Sequence, residues 1–198
     1  MLRVAVLIVS LLAADVTVAA AQAPIRIRGT IETATAQALT IKSREGRMVT
    51  VTLSPNFDVL AVSRASLGDI KSGSFVGTAV LRQPDGTFKA QEVMVFPEDM
   101  REPNEGHFRW DLSPGSTMVN ATVAAMVRGN DGTALTLRHK TGEVKVVVPP
   151  DAPIVTLGPG DKSLLVPGAG VFVPVSQADG AFTAGRVLVG KNGLMPPM

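Results

Sequence analysis

The side chains with most potential for chemistry are concentrated in one segment, residues 97–118. It contains the only tryptophan of the chain, Trp110, and one of its two histidines, His107. An imidazole beside carboxylates can bind a divalent ion, and methionine thioethers favour Cu(I). The segment therefore predicts, as one of two alternatives, a copper or zinc site. Its candidate ligands are His107, Met100, Met118 and Asp111, with two more methionines in the tail 194–198 if that tail folds back.

The same segment also contains side chains typical of a packing or binding surface. A flexible spacer is normally rich in Gly and Ser or Pro and lacks large aromatic residues. Phe108 and Trp110 are therefore expected to be buried, with the indole N–H of Trp110 seeking an acceptor. Two interpretations remain open: the aromatics join two domains while Arg101 and Arg109 pair with acids, or the segment binds a ligand or partner. The candidate partner-binding residues are Trp110, Arg109, Phe108 and Glu105.

Other kinds of chemistry find little support in the chain. It has no cysteine, which excludes disulfides, thiolate metal sites and thiol nucleophiles. Nucleophilic catalysis needs an activated nucleophile with a base, but His107 and His139 are the only imidazoles and no Gly-x-Ser-x-Gly turn is present. We expect no enzyme, no catalytic residue and no organic cofactor.

Charge and aromatic content argue against a nucleic-acid partner. The formal net charge is +2, whereas polyanion binding usually needs a clustered basic face. Readers of single strands stack bases on aromatic side chains, and this chain has no tyrosine and one tryptophan.

The first 21 residues have the pattern of a secretory signal peptide. Arg3 precedes an apolar run at 4–12, and Ala19, Ala20 and Ala21 supply small residues for cleavage after Ala21. No later segment is apolar enough to span a bilayer. The sequence thus predicts a periplasmic or secreted protein without a membrane span in its mature part.

An internal repeat of about 95 residues organises the remainder. The strand-like run 38–41 has a counterpart at 134–137, and the run 85–95 has one at 179–189. The predicted units are 24–96 and 119–190, joined by an ordered linker at 97–118 and followed by a tail at 191–198.

Each unit has the pattern of a β-domain. Apolar residues alternate with Thr and charged residues, which is typical of half-buried strands, and Asp-Gly pairs at 85–86 and 179–180 predict hairpins. Short helical turns are expected at 64–71 and 161–166. The predicted fold class is all-β: two tandem OB-like barrels of about five strands each, related by duplication. A short β-sandwich is the alternative.

The first unit also resembles a family of exported bacterial β-domains of unknown function. The motif elements are Gly29-Thr30-Ile31, Leu39-Thr40-Ile41, Gly46, 49–53, 70–73 and Asp85-Gly86 through Ala90 to Val93. The second unit departs from the pattern, with Asn120 in place of Gly29 and Pro167 before a turn. The resemblance implies an exported β-domain and brings no activity with it.

Taken together, these patterns predict a non-catalytic binding or interaction protein of the bacterial cell envelope. Its partner, an envelope protein or a small ligand, is not identified by the sequence. A periplasmic protein that binds copper or another divalent metal through residues 97–118 is the alternative.

Overall fold

The computed structural model describes residues 25–101, 105–130 and 132–198, so the predicted signal peptide at 1–21 lies outside it. The described residues form thirteen strands and three short 3₁₀ helices. None of their helices is long and apolar enough to cross a membrane. The strands are β1 Ile25–Ala34, β2 Ala38–Ser43, β3 Met48–Arg64, β4 Phe75–Arg82, β5 Phe88–Ala90, β6 Val93–Val95, β7 Gly106–Arg109, β8 Thr117–Gly129, β9 Gly132–His139, β10 Gly142–Val148, β11 Ile154–Pro159, β12 Gly170–Ala178 and β13 Ala181–Gly190. The 3₁₀ helices are Leu67–Asp69, Glu98–Met100 and Lys162–Leu164.

Strand formation follows from alternation and from turn chemistry. In β2, Leu39 and Ile41 are fully buried, whereas Lys42, which follows Ile41, is exposed. Side chains of a strand alternate between its two faces in this way. The hairpin between β12 and β13 turns at Asp179 and Gly180, whose φ angles are 49° and 78°. Both residue types tolerate positive φ, and the hairpin prediction at this position is confirmed.

Five strands close the first barrel. β1, β2 and β3 form an antiparallel meander, β13 pairs parallel with β3, and β12 connects β13 back to β1. The core inside is built largely from Ile, Leu and Val side chains of these strands.

The second barrel repeats this arrangement. β8, β9 and β10 form the meander, β5 pairs parallel with β10, and β4 connects β5 to β8. Its core contains buried side chains from β4 to β6 and from β8 to β10. The all-β barrel fold expected from the sequence is confirmed.

The two sequence units exchange their last strands, which differs from the expected domain boundaries. The first barrel takes β1 to β3 from unit 24–96 and β12 and β13 from unit 119–190. The second takes its closing strands β4 and β5 from the first unit. The ranges 24–96 and 119–190 therefore mark the sequence repeat but not the two hydrophobic cores. Equivalent strands carry equivalent patterns, so local sequence does not distinguish pairing within a unit from pairing between units.

A local twofold relation connects the two halves. The end of β3 pairs antiparallel with β11, and at the centre of this pairing Val62 lies opposite Leu157. These two residues are 95 positions apart, which matches the offset of the sequence repeat, so equivalent residues of the two units meet at this point. This register is expected of a duplicated chain whose halves face each other across an axis.

The predicted helical turns are present and cover opposite barrels. Leu67–Asp69 leads into Ile70, which is 1% exposed and packs in the second core. Lys162–Leu164 leads into Leu165, which packs in the first core. Each turn thus covers a barrel built mainly from the meander of the other unit.

Candidate functional site

A cavity of about 330 Å³ lies between the outer faces of the two barrels. Side chains alternate along each strand, so residues next to core positions point out of the barrel. In β12, Val171 and Val173 belong to the first core, and Phe172 between them lines the cavity. In β6, Met94 lines the cavity from the second barrel.

Four described residues of the segment 97–118 line this cavity. β7 pairs antiparallel with the start of β8, which places Phe108 opposite Met118. Both side chains line the cavity, as do Met100 and Trp110. The predicted linker is therefore partly a strand of the sheet.

Trp110, a residue of the linker, packs against the first barrel and against Phe108. Its ring stacks on Phe172 with centroids 6.2 Å apart and meets Phe108 edge-on, also at 6.2 Å. The guanidinium of Arg26 lies 3.9 Å from the centroid of the indole ring, a cation–π arrangement. The indole Nε1 is buried and has no hydrogen-bond partner among the described residues.

Asp111 ties the linker to β1. Its carboxylate accepts a 2.6 Å hydrogen bond from Arg28 Nη2 and lies 3.6 Å from Arg26 Nη1. Burial opposes ionisation of Asp111, but the hydrogen bond from Arg28 and the two positive charges outweigh it and lower its pKa. Burial also lowers the pKa of Arg26, partly offset by Asp111. Arg26 and Arg28 of β1, which were not among the arginines expected to pair with acids, thus hold Asp111. Arg101 ties the start of the segment to the second barrel by donating to Thr122 Oγ1 and to the main-chain oxygen of Gly73.

The tail folds back and closes another side of the cavity. Arg28 Nε donates to the main-chain oxygen of Met198 at 2.6 Å, and Arg44 Nη2 donates to that of Pro196 at 2.9 Å. Met198 is 2% exposed and lines the cavity, whereas Met195 is 39% exposed. One of the two tail methionines thus reaches the site.

Glu92 is a buried acid in the cavity wall. It lies between β5 and β6 and is fully buried. Its Oε1 accepts the N–H of Ala79 at 2.9 Å, while Oε2 is buried and accepts no hydrogen bond from a described residue. Burial raises the pKa of Glu92 to about 7, against the lowering by the Ala79 hydrogen bond and the charge of Arg28.

His107 lies on the other face of β7. Its Nε2 is 2.8 Å from Thr117 Oγ1, and its ring is 5.4 Å from Phe88 and 6.3 Å from His139. Burial and the nearby His139 lower its pKa. Because side chains alternate along β7, His107 is separated from the neighbouring Phe108 that lines the cavity.

The structure divides the candidate metal ligands. Met100 and Met118 line the cavity, whereas His107 and Asp111 do not. Within the described ranges, no group of three or more His, Cys, Asp or Glu side chains is placed to hold a metal ion.

The candidate partner-binding residues are also divided. Phe108 and Trp110 line the cavity. Arg109 is exposed, and Glu105 lies 3.9 Å from Lys140. Arg101 pairs with Glu98 at 2.7 Å and thus follows the expectation that it pairs with an acid.

Several cavity residues were missed by the sequence reasoning, and a signal for them exists. Three short runs, 93–95, 171–175 and 187–189, are apolar at nearly every position. Such runs are typical of strands buried on both faces. Their outward residues are Met94, Phe172, Pro174 and Leu188, which all line the cavity.

Comparison of the chain with protein-family models, with curated proteins and with solved structures gives no match in any of the three. The resemblance of the first unit to exported β-domains therefore stays a prediction, and function is argued from the site.

Proposed function

We propose that this is an exported, non-catalytic binding protein that holds a small, mainly apolar ligand in the cavity between its two barrels. The observation that carries the proposal is the cavity itself, which is lined in part by Met100, Phe108, Trp110 and Met118. The apolar run and small residues at 1–21, typical of a signal peptide, support export.

The size and lining of the cavity suit an organic ligand. Sites for small molecules usually occupy about 300–1,000 Å³ and combine apolar walls with a few polar groups, and this cavity measures about 330 Å³. Its apolar wall includes Met94, Phe172 and Trp110. An apolar ligand would bury its surface against these side chains, at about 25 cal/mol per Å² removed from water.

The polar residues of the cavity support binding over catalysis. Among the described residues, these are Arg26, Glu92, Asn120 and Arg186. None is a nucleophile of the kind that is activated by a histidine base, and His107 faces away from the cavity. A carboxyl and guanidinium groups among apolar walls can orient a ligand.

The test uses N-phenyl-1-naphthylamine, an uncharged apolar fluorophore, as the probe. We expect saturable binding of one molecule per chain, seen as increased probe emission and by calorimetry. Leu60→Trp, which adds bulk at the cavity wall, should weaken binding at least about tenfold. Val127→Trp is the matched control, because Val127 is 64% exposed and does not line the cavity. Absence of saturable binding to the folded protein would contradict the proposal.

One observation favours a second candidate function, the binding of Cu(I) by thioethers. Four methionines line the same cavity: Met94, Met100, Met118 and Met198. Thioether ligands favour Cu(I). The volume of about 330 Å³ favours the organic ligand, because one metal ion with its ligands fills far less space.

The copper candidate is tested by titrating Cu(I) under native mass spectrometry. It requires stoichiometric binding that is lost in the double variant Met100→Leu with Met118→Leu and kept in Met48→Leu, a surface control. His107→Ala should leave such binding unchanged, since His107 lies outside the cavity. No binding at micromolar copper would exclude this candidate.

A further inference from the structure

The Oε2 atom of Glu92 is a buried acceptor in the cavity wall. Oε1 holds the N–H of Ala79, and the main-chain oxygen of Glu92 accepts the hydroxyl of Thr78 at 2.6 Å. Oε2 is buried without a hydrogen-bond partner among the described residues. A buried polar atom left without a partner is unfavourable, so a ligand that supplies the missing donor gains affinity over one that does not.

Structural support of β4 does not require a carboxyl at this position. Glutamine has the same shape, and its amide oxygen would accept the N–H of Ala79 equally well. Only an ionised carboxyl offers a second strong acceptor beside the first. With a pKa near 7, Glu92 is substantially ionised at neutral and mildly alkaline pH.

The repeat gives this position a second, contrasting occupant. In the sequence alignment of the two units, Glu92 corresponds to Arg186. Both line the same cavity, but Arg186 lies 3.2 Å from Asp58 while Glu92 is fully buried. The two equivalent positions are therefore chemically different: one presents the buried carboxyl of Glu92 and the other the half-exposed guanidinium of Arg186.

We infer that the ligand carries a hydrogen-bond-donating head group, a hydroxyl or an ammonium, that binds Oε2 of Glu92 while its apolar body packs against the methionine and aromatic side chains of the cavity. This inference rests on the proposed function and names the ligand class for the same site. A donor head satisfies the buried oxygen, whereas a ligand without a donor leaves it unpaired.

The experiment compares three probes of nearly the same size: 2-phenylethanol, 2-phenylethylamine and (2-methoxyethyl)benzene. Only the ether has no donor. Their affinities are measured by ligand-observed NMR titration at about pH 8, where Glu92 is mostly ionised. The variants are Glu92→Gln and, as matched control, Glu32→Gln, because Glu32 is exposed and lies outside the cavity.

We expect the alcohol, the amine or both to bind at least about tenfold more tightly than the ether. Glu92→Gln should remove this preference, and Glu32→Gln should keep it. Preference for the amine alone identifies a cationic head, whereas preference for both identifies hydrogen-bond donation as the shared requirement. As a measurement that does not depend on a variant, the Glu92 carboxyl ¹³C signal of the unmodified protein should shift with a donor probe and not with the ether.

Failure of the head-group inference can be distinguished from failure of the proposed function. If the ether binds as tightly as both donors, the head-group inference is overturned while the apolar binding site stands. The same holds if Glu92→Gln folds and keeps the full preference. If no probe binds up to its solubility limit, the proposed function fails and this inference fails with it.

Discussion

Trp110 takes part both in the packing of the linker and in the wall of the cavity. It contacts Phe172 of the first barrel and Phe108 of β7, and Arg26 lies over its ring. Trp110 can therefore serve both roles considered for residues 97–118: it joins the linker to the first barrel, and it lines the cavity.

Trp110→Ala should therefore lower both stability and affinity. Removing a packed tryptophan costs about 3–5 kcal/mol, and less where part of the ring is exposed. We expect a loss of about 2–4 kcal/mol in denaturant unfolding, with weaker binding of N-phenyl-1-naphthylamine. Arg109→Ala is the control, because Arg109 is exposed, and it should change stability by less than about 0.5 kcal/mol. Unchanged stability of Trp110→Ala would show that the contacts of the ring contribute little.

Glu92 makes stability depend on pH. Its folded-state pKa of about 7 lies above its ordinary value of 4.5, so protonation favours the folded state. Its contribution is complete below about pH 4.5 and is lost as the pH rises through about 7. Relative to Glu92→Gln, the protein should lose up to about 3 kcal/mol of unfolding free energy between about pH 4.5 and 8. Parallel pH profiles of the two proteins would contradict this assignment.

For individual residues, sequence patterns predicted part of the site. Trp110 was expected to be buried and packs on Phe172, with part of its ring exposed. The same expectation is wrong for Phe108, which lines the cavity but is 38% exposed. Glu92 was missed because an acid next to a short strand is usually exposed. Its carboxyl is bound by Ala79 of β4, only 13 positions earlier, but the cavity that it lines also includes Phe172 and Leu188, which are distant in sequence.

The C-terminal tail is the element that completes the cavity. Arg28 and Arg44 hold its main-chain oxygens, and Met198 enters the wall. An extended tail gains stability mainly from such tertiary contacts, since it makes no regular strand ladder of its own.

Met198→Ala should reduce stability by roughly 1–3 kcal/mol, because a buried side chain is truncated at a partly adjustable site. Met195→Ala is the matched control in the same tail, since Met195 is 39% exposed and outside the cavity. Thermal unfolding of both variants checks the difference. Equal effects would mean that the tail contributes through its main chain and not through the Met198 side chain.

The strands themselves were predictable from local signals, and their partners were not. Alternation and Asp-Gly turns mark β2 and the β12–β13 hairpin. The pairing of β13 with β3 joins residues more than 120 positions apart, for example Phe182 with Val51. No local pattern distinguishes that partner from an equivalent strand of the same unit.

The whole molecule depends on the exchange of strands between units. β1 to β3 need β12 and β13 to close the first barrel, and these come from the other end of the chain. The cavity lies where the outer faces of the two barrels meet, so both barrels are needed to form it.

This architecture predicts the behaviour of an isolated unit. A chain of residues 25–101 contains the β1–β3 meander and the closing strands β4 and β5. Since those strands close the opposite barrel in the intact protein, two copies can complete each other. We expect folded material to be dimeric in analytical ultracentrifugation, with unfolded monomer at low concentration. A folded monomer would contradict strand exchange as a requirement for closure.

The most direct test of the binding claim uses the single tryptophan of the chain, Trp110, which lies in the cavity wall. N-phenyl-1-naphthylamine absorbs where tryptophan emits, so a probe bound in the cavity quenches Trp110 by energy transfer. We expect saturable quenching at one probe per chain, reversed by 2-phenylethanol. Calorimetry should show weaker binding of the probe to Leu60→Trp. Quenching that rises linearly without saturation, with no heat of binding, would contradict a ligand site between the barrels.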